Sequence, residues 1–170
     1  MATILRLTLV AGLSCMLTSC VTTVERERVS QNKPAATGSG DRLQKVRTTA
    51  YTHNEGGSGV KNAIGRRLAN GRCKSAASDW SRFPLGTRFR VVSTGQEYVI
   101  DDYGGALVGT NSIDLYKNSR GEVHRWGVRH VDIEILQWGS RDESLKVLRP
   151  RQRARIVRRM IAGLETRKTS

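Results

Sequence analysis

The sequence has few cysteines, which limits how its fold can be stabilised. Only three are present, and two of them, Cys15 and Cys20, fall in the first twenty residues. This leaves Cys73 without a partner for an internal disulfide. The three histidines do not fall at zinc-ligand spacings with Cys73. We therefore predict a fold with no disulfide, no metal and no cofactor.

The sequence also lacks an apolar run long enough to span a bilayer. The N-terminal apolar run covers only residues 7–17, which is too short for a transmembrane helix and is typical of an export signal. Residues 17–20, Leu-Thr-Ser-Cys, resemble the bacterial lipobox. The resemblance implies a lipoprotein signal peptide over residues 1–20 and a membrane anchor through lipidated Cys20.

The residue after that cysteine is Val21 and not Asp. By resemblance to Gram-negative lipoproteins, this implies a cell-envelope protein anchored in the outer membrane and facing the periplasm. An ordinary signal peptide or an uncleaved anchor is the alternative. Each of these interpretations places the remaining chain outside the cytoplasm.

Acidic residues are scarce: 15 Asp and Glu stand against 29 Lys and Arg. The basic excess is concentrated in residues 140–170, where no aromatic residues are interleaved with it, and together with the export signal this argues against a nucleic-acid partner. Within this basic tail, Ile156, Met160 and Leu164 form an apolar stripe on a helix that Pro150 would begin. The stripe predicts a helix packed on the domain. The alternative is a tail that contacts an anionic surface.

Short β-type segments and glycine turns fill residues 43–139, after a polar tether at residues 21–42. The glycine-rich loop at 54–62 lacks the Gly-Lys-Ser/Thr of a P-loop. Strands are predicted at 46–52, 75–79, 87–93, 96–101, 112–116 and 131–136, and a short helix at 122–126. This pattern predicts a mainly β fold built as a small barrel.

The segment 99–116 carries the candidate chemistry. Asp101 and Asp102 close one strand, and Asp114 lies inside the next. A charge inside an apolar strand is costly unless it is paired or lies in a cleft, so three carboxylates near one turn predict an acid/base site. We expect the glycines of the turn to adopt positive φ and approach a ligand: Gly104, Gly105 and Gly109. A plain hairpin with solvated aspartates is the alternative.

Several short motifs occur in order along this region: Thr-Ala-Tyr-Thr at 49–52, Ala-Ala-Ser-Asp at 76–79, Pro-Leu-Gly-Thr at 84–87, Asp-Tyr-Gly-Gly-Ala-Leu-Val-Gly at 102–109, Ile-Asp-Leu-Tyr at 113–116 and Trp-Gly at 126–127. Over residues 46–137 the series resembles the 3D (three-aspartate) domain, found in membrane-bound lytic transglycosylase A and related cell-wall proteins. The resemblance implies a six-stranded double-psi β-barrel whose three aspartates are Asp79, Asp102 and Asp114.

The resemblance also implies a reaction on peptidoglycan glycan strands. Asp114 would be the catalytic acid at the β-1,4 bond between N-acetylmuramic acid and N-acetylglucosamine, with Asp102 as a second catalytic carboxylate. In a lytic transglycosylase, the muramic 6-hydroxyl closes onto the anomeric carbon and leaves a 1,6-anhydro end. We expect burial and an ionised Asp102 to raise the pKa of Asp114.

Further residues are expected to bind substrate: Asp79, Tyr51, Tyr103, Gly104, Gly105 and Tyr116. Each aspartate also has a structural alternative. Asp79 would cap local backbone, Asp102 would stabilise the glycine turn, and Asp114 would be a buried, hydrogen-bonded carboxylate. Two functional alternatives stay open: an ordinary glycoside hydrolase with Asp102 as base, and a non-catalytic peptidoglycan-binding barrel.

Overall fold

A computed structural model describes residues 40–54 and 59–166. The predicted signal peptide 1–20, its Cys20 and the predicted tether up to residue 39 lie outside the described residues. No helix in the described ranges is long and apolar enough to cross a membrane.

Six strands and three α-helices make up the described chain. Their bounds are β1 Arg42–Tyr51, β2 Cys73–Ser78, β3 Arg88–Val91, β4 Glu97–Asp102, β5 Ile113–Tyr116, α1 Arg120–Trp126, β6 Arg129–Gln137, α2 Arg141–Leu148 and α3 Arg155–Thr166, with a 3₁₀ turn at Arg149–Arg151. All six predicted strands and the predicted helix before Gly127 are present, with ends that differ by a few residues.

The strands close into one barrel in the order β1-β5-β2-β4-β3-β6. The pairs β1/β5 and β2/β4 are parallel, and the other four pairs are antiparallel. Exchanging β1–β3 with β4–β6 reproduces the same set of neighbours, so the connections 52–72 and 103–112 occupy equivalent places. The predicted mainly β, six-stranded barrel is confirmed, and its topology is that of a double-psi barrel.

The alternative of a plain hairpin over residues 99–116 is wrong. Strand β2 lies between β4 and β5 and pairs with both. The residues after Asp102 therefore cross an end of the barrel before β5 begins. The antiparallel neighbours joined by a short turn are instead β3 and β4.

The strands alternate between a barrel interior and an outer face, as a closed small barrel requires. Interior side chains with 0–1 % exposure form the core: Phe89, Val91, Tyr98, Ile100, Ile113, Leu115 and Ile133. Burial of each such side chain contributes roughly 1.5–3 kcal/mol before entropy is subtracted. A rigid barrel of this kind holds the groups on its outer face in fixed register.

The basic tail differs from its prediction at its start. Helix α2 begins at Arg141 because the Ser140 side chain accepts a hydrogen bond from the Glu143 N–H and caps it. Pro150 lies in the 3₁₀ turn that follows, and not at the start of α3.

Helix α3 is a packed part of the barrel domain. Val157, Met160 and Leu164 have at most 1 % exposure and join the barrel core. At Gly163 the helix approaches Ser81 so closely that a Cβ there would lie 2.7 Å from the Ser81 Cβ. The predicted packing of the apolar stripe is therefore confirmed.

Candidate functional site

A cavity of about 730 Å³ lies on the outer face of the barrel, where the two equivalent crossover connections meet. Strands β1, β2, β4 and β5 supply its floor, and the two connections supply its walls. The lining residues are Arg47, Thr49, Tyr51, Gly59, Lys61, Asn62, Ala63, Ala77, Asp102, Tyr103, Gly104, Gly105, Ala106, Leu107 and Asp114. The predicted catalytic pair and four of the six predicted substrate-binding residues are among them.

Asp102 and Asp114 stand on either side of one small residue. In the sheet, Ala77 pairs with Asp102 of β4 on one side and with Asp114 of β5 on the other. Because neighbouring strands lie about 4.8 Å apart, the two aspartate backbones are roughly 10 Å apart. The methyl group of Ala77 leaves the space between the carboxylates open to a ligand.

Strand β1 positions the Asp114 side chain. Thr49 is the parallel-register partner of Asp114, and its hydroxyl donates a 2.7 Å hydrogen bond to Asp114 Oδ1. A threonine on a neighbouring strand has few rotamers, so this bond fixes the carboxylate against the sheet. Thr49 lies in the motif at 49–52. It is two residues before Tyr51 in the same strand, so the sequence places both side chains on one face of β1, the face that lines the cavity.

Asp102 holds a proton more readily than an ordinary aspartate. Its pKa is raised from 3.8 to about 6. Burial is the largest cause, and the charge of Asp101 adds to it, whereas the backbone N–H groups of Tyr103 and Ala63 and the charge of Arg151 oppose it. The Tyr103 N–H donates to Asp102 Oδ1 over 2.9 Å. A carboxyl with a pKa near 6 can donate or accept a proton close to neutral pH.

Tyr51 brings a buried hydroxyl to these carboxylates. Its side chain is 8 % exposed, and its hydroxyl has no hydrogen-bond partner among the described residues. Burial raises the pKa of Tyr51, and the charges of Asp102, Asp101 and Asp114 raise it further. The phenol therefore stays protonated and can donate. Its ring packs against Tyr116, with the ring centroids 5.6 Å apart, so Tyr51 forms part of the cavity wall while its hydroxyl is not exposed to solvent.

Asp101 turns away from the cavity, although the sequence grouped it with the other two carboxylates. It accepts hydrogen bonds from the Ser75 hydroxyl at 2.6 Å and from Asn62 Nδ2 at 2.8 Å. The Asn62 side-chain oxygen accepts from the backbone N–H groups of Ile64 and Arg66. Asp101 is the extra residue of a β-bulge, because Ala76 pairs with Ile100 and Ala77 with Asp102. Its hydrogen bond to Asn62 anchors the first crossover connection to β4.

Asp79 and Tyr116, two of the predicted substrate-binding residues, lie outside the cavity lining. Asp79 is 3 % exposed and accepts hydrogen bonds from the backbone N–H groups of Ser81, at 2.9 Å, and Gly109, at 2.7 Å. This geometry favours the alternative in which Asp79 stabilises local backbone. Tyr116 is 5 % exposed, and its hydroxyl is hydrogen-bonded to His53 Nδ1 at 2.7 Å.

Of the aromatic residues lining the cavity, Tyr103 has the more accessible ring. It lies edge-on to Trp80, with ring centroids 5.1 Å apart. Trp80 itself is fully buried and donates its indole N–H to the Asp102 carbonyl, so it supports the Asp102 backbone and cannot stack on a sugar.

The expectation of positive φ at all three turn glycines is wrong for two of them. Only Gly109 has a positive φ, of 89°. Gly104 and Gly105 line the cavity with φ outside the left-handed region. At Gly105 an added Cβ would lie 3.7 Å from Ile156 Cδ1, so helix α3 supports this wall of the cavity.

Two basic residues of the cavity were not identified from the sequence. Arg47, on β1, and Lys61, in the first crossover connection, line the same cavity as the carboxylates. Arg47 Nη1 donates to the Ser112 hydroxyl over 3.3 Å. In a chain with 29 Lys and Arg, no local signal distinguishes these two. As to metals, no cluster of three or more His, Cys, Asp and Glu side chains with the geometry to hold an ion is found within 40–54 and 59–166.

Part of the chain is similar to a known protein family and to two proteins named for the cell wall. The family model of the 3D domain matches residues 74–137. The cell wall-binding protein YocH of Bacillus subtilis (strain 168) is 38 % identical over 92 residues, which cover 54 % of this chain and 31 % of that protein. A second protein of that strain, YabE, named for cell wall shaping, is 33 % identical over 96 residues, covering 56 % of this chain and 23 % of that protein.

The matched region spans less than a third of the length of either relative. The family-model match, residues 74–137, coincides with the barrel strands from β2 to β6 and includes both cavity aspartates. The predicted resemblance to the 3D domain is therefore confirmed over this part of the chain, which carries the site.

Proposed function

We propose that this protein binds peptidoglycan glycan strands in the cavity and cleaves the β-1,4 bond between N-acetylmuramic acid and N-acetylglucosamine. One observation carries the proposal: Asp102 and Asp114 face a single cavity across Ala77, and the pKa of Asp102 is raised to about 6. The names of the two relatives, which concern cell wall binding and cell wall shaping, support the choice of substrate.

In this mechanism one carboxyl protonates the glycosidic oxygen while positive charge develops on the muramic ring. The proton then returns from the muramic 6-hydroxyl as that oxygen closes onto the anomeric carbon, so a single acid/base group serves both steps. The family resemblance assigns this role to Asp114. The raised pKa of Asp102 allows this second carboxyl to carry a proton near neutral pH, so Asp102 is the other candidate for the acid.

Two other groups of the cavity serve the same reaction. The Tyr51 hydroxyl is protonated, buried and without a partner among the described residues, and it would donate a hydrogen bond to a substrate oxygen once sugar binding exposes it. The Tyr103 ring and the backbone of Gly104 and Gly105 form the wall against which a sugar ring packs. No cofactor enters the mechanism.

The second candidate function is a non-catalytic peptidoglycan-binding barrel. The name of the relative YocH, a cell wall-binding protein, favours it. The same cavity would then hold the glycan strand through Asp102, Asp114 and Tyr51 without bond cleavage.

The deciding experiment digests purified peptidoglycan with the protein and with its Asp114→Asn and Asp102→Asn variants, followed by mass spectrometry of the products. We expect anhydro-muramic ends from the parent, at least about 100-fold fewer from Asp114→Asn, and a changed pH profile for Asp102→Asn. Reducing ends would identify a hydrolase. If the parent releases no product yet still sediments with peptidoglycan, the binding barrel replaces the enzyme.

Anchoring through Cys20 in the outer membrane belongs to the same proposal. A lipid-anchored domain would act on the wall from the membrane surface. Replacing Cys20 with Ser is expected to move the protein from the membrane fraction to the soluble envelope fraction, whereas replacing Cys73 should leave its fractionation unchanged.

A further inference from the structure

A second recess, separate from the carboxylate cavity, is surrounded by basic side chains. It measures about 260 Å³ and is lined by Lys74, Lys117, Glu122, Arg125, Trp126 and Arg129. Four of these six residues are cations and one is an anion. The first cavity and this recess have no lining residue in common.

The strand register explains why the two sites are separate. Ile113 and Leu115 point into the barrel with 0 % exposure, whereas Asp114 between them faces the carboxylate cavity. Lys117 continues the alternation of Ile113 and Leu115, so its side chain lies at the end of the barrel and not on the cavity face.

Two of the cations come close to each other beyond the end of a strand pair. The antiparallel β2/β5 ladder ends at Ala76 and Leu115, and past that end Lys74 lies close enough to Lys117 for its charge to lower the pKa of Lys117. Like charges held close together on neighbouring strands are destabilising. A fold that keeps both lysines here therefore gains stability from any anion that binds between them.

Packing on one indole ring fixes the positions of two cations. The Lys117 ammonium lies 4.4 Å from the centre of the Trp126 ring, and the Arg129 guanidinium lies 4.6 Å from it. Arg129 donates to the backbone carbonyls of Trp126, at 2.7 Å, and Arg125, at 2.6 Å. These cations are thus preorganised, and an anion would bind without ordering them first.

The positive charge of the recess is not neutralised by salt bridges. Within the described residues, none of the four cations lies within 4 Å of a carboxylate oxygen. Burial lowers the pKa of Lys117, and Lys74 and Arg129 lower it further, with Glu122 opposing them. Lys117 also donates a 2.8 Å hydrogen bond to the Tyr98 hydroxyl, which leaves other ammonium protons for a ligand.

We propose that this recess is a binding site for a phosphate group. Cations approach the space from β2, β5, α1 and β6, and a tetrahedral phosphate presents oxygens in several directions, whereas a planar carboxylate presents two. Arginine and lysine together supply the charge-assisted donors that phosphate prefers. The proposal is independent of the chemistry in the first cavity.

The test is an NMR titration of the full-length protein at constant ionic strength, following the Trp126 indole N–H, which donates to Thr48 Oγ1. Inorganic phosphate and the diester glycerophosphoglycerol are added separately. We expect a saturable shift with at least one of them. Tighter binding of the inorganic ion indicates free phosphate as the ligand, and tighter binding of the diester indicates the phosphate of a polymer or lipid headgroup.

Lys74→Gln is the informative variant, because Lys117 also bonds to Tyr98 and packs on Trp126, so that its replacement would disturb the core. We expect it to weaken binding about tenfold. Lys146→Gln removes the same charge from α2 and should leave the affinity unchanged. Equal weakening by both variants, or no saturable shift in the parent, would overturn the proposal.

Thermal unfolding supplies a second readout that does not depend on the NMR signal. Without phosphate, Lys74→Gln is expected to raise the Tm, because it relieves the repulsion with Lys117. With phosphate at saturating concentration, the parent should gain stability and the variant should gain less. A Tm that falls in Lys74→Gln and does not respond to phosphate in the parent would mean that these lysines only pack.

Discussion

Asp102 offers a test of whether the carboxylate cavity is built for chemistry or for stability. Burial raises its pKa from 3.8 to about 6, so the folded protein binds this proton more tightly than the unfolded chain does. Stability is therefore lost as pH rises from about 4 to about 6. Asp102→Asn, which cannot ionise, should be more stable than the parent above pH 6.

The size of the gain follows from the pKa. A rise of about two pH units corresponds to about 3 kcal/mol, at about 1.4 kcal/mol for each unit. Because Asp102 is only partly buried, solvent screening reduces the expected gain to about 1–2 kcal/mol. For a domain of this length the Tm should rise by roughly 3–8 °C at pH 7.5.

The assay is thermal or denaturant unfolding of parent and variant between pH 3.5 and pH 8. The two should converge near pH 3.5, where Asp102 is protonated in both the folded and the unfolded parent. Asp132→Asn is the matched control. The Lys45 N–H and the Arg42 guanidinium lower the pKa of the exposed Asp132 carboxyl, so this variant should lose stability at neutral pH. If Asp102→Asn also loses stability at pH 7.5, Asp102 is a structural carboxylate and the acid/base reasoning fails.

Three further changes test other parts of the site. Tyr51→Phe removes a buried hydroxyl that has no partner among the described residues. We expect the free energy of unfolding to stay equal or to rise by up to about 1 kcal/mol, while glycan cleavage or binding falls. Full retention of cleavage and of binding would exclude the hydroxyl from the site. Arg151→Gln removes a charge that lowers the pKa of Asp102, so the falling limb of the activity–pH profile should move to higher pH, and an unmoved limb would assign it to another group. Gly163→Val places atoms within 3 Å of Ser81, so we expect α3 to loosen at a cost of about 1–3 kcal/mol, read as a lower denaturant midpoint; an unchanged midpoint would mean that the helix shifts freely.

The sequence by itself determined most of the local structure and the resemblance to the 3D domain. Short runs of β-branched, aromatic or alternating apolar residues between glycine turns marked the six strands, because such runs fit a half-buried strand. The ordered motifs between residues 49 and 127 identified the 3D domain. The residue pattern grouped Asp101, Asp102 and Asp114, and the family resemblance selected Asp102 and Asp114 as the catalytic pair.

Only the tertiary structure decided which residues share the cavity. Strand order is set by non-local pairing, so nothing near Asp102 in the chain shows that β2 separates it from Asp114, or that Ala77 lies between the two carboxylates. Nothing in the sequence distinguishes Asp101 and Asp79 from the other two aspartates. In the fold, Asp101 accepts a hydrogen bond from Asn62 and Asp79 accepts one from the Gly109 backbone N–H, and neither lines the cavity.

The same holds for charge. The sequence showed an excess of basic residues, mainly in the C-terminal tail. In the fold, helix α3 of this tail packs against the barrel. Lys74 and Lys117 are 43 positions apart in the chain and become neighbours only through the β2/β5 register. A local sequence pattern predicts on which face of its strand a residue lies. Which residues from distant strands become neighbours is decided only when the barrel closes.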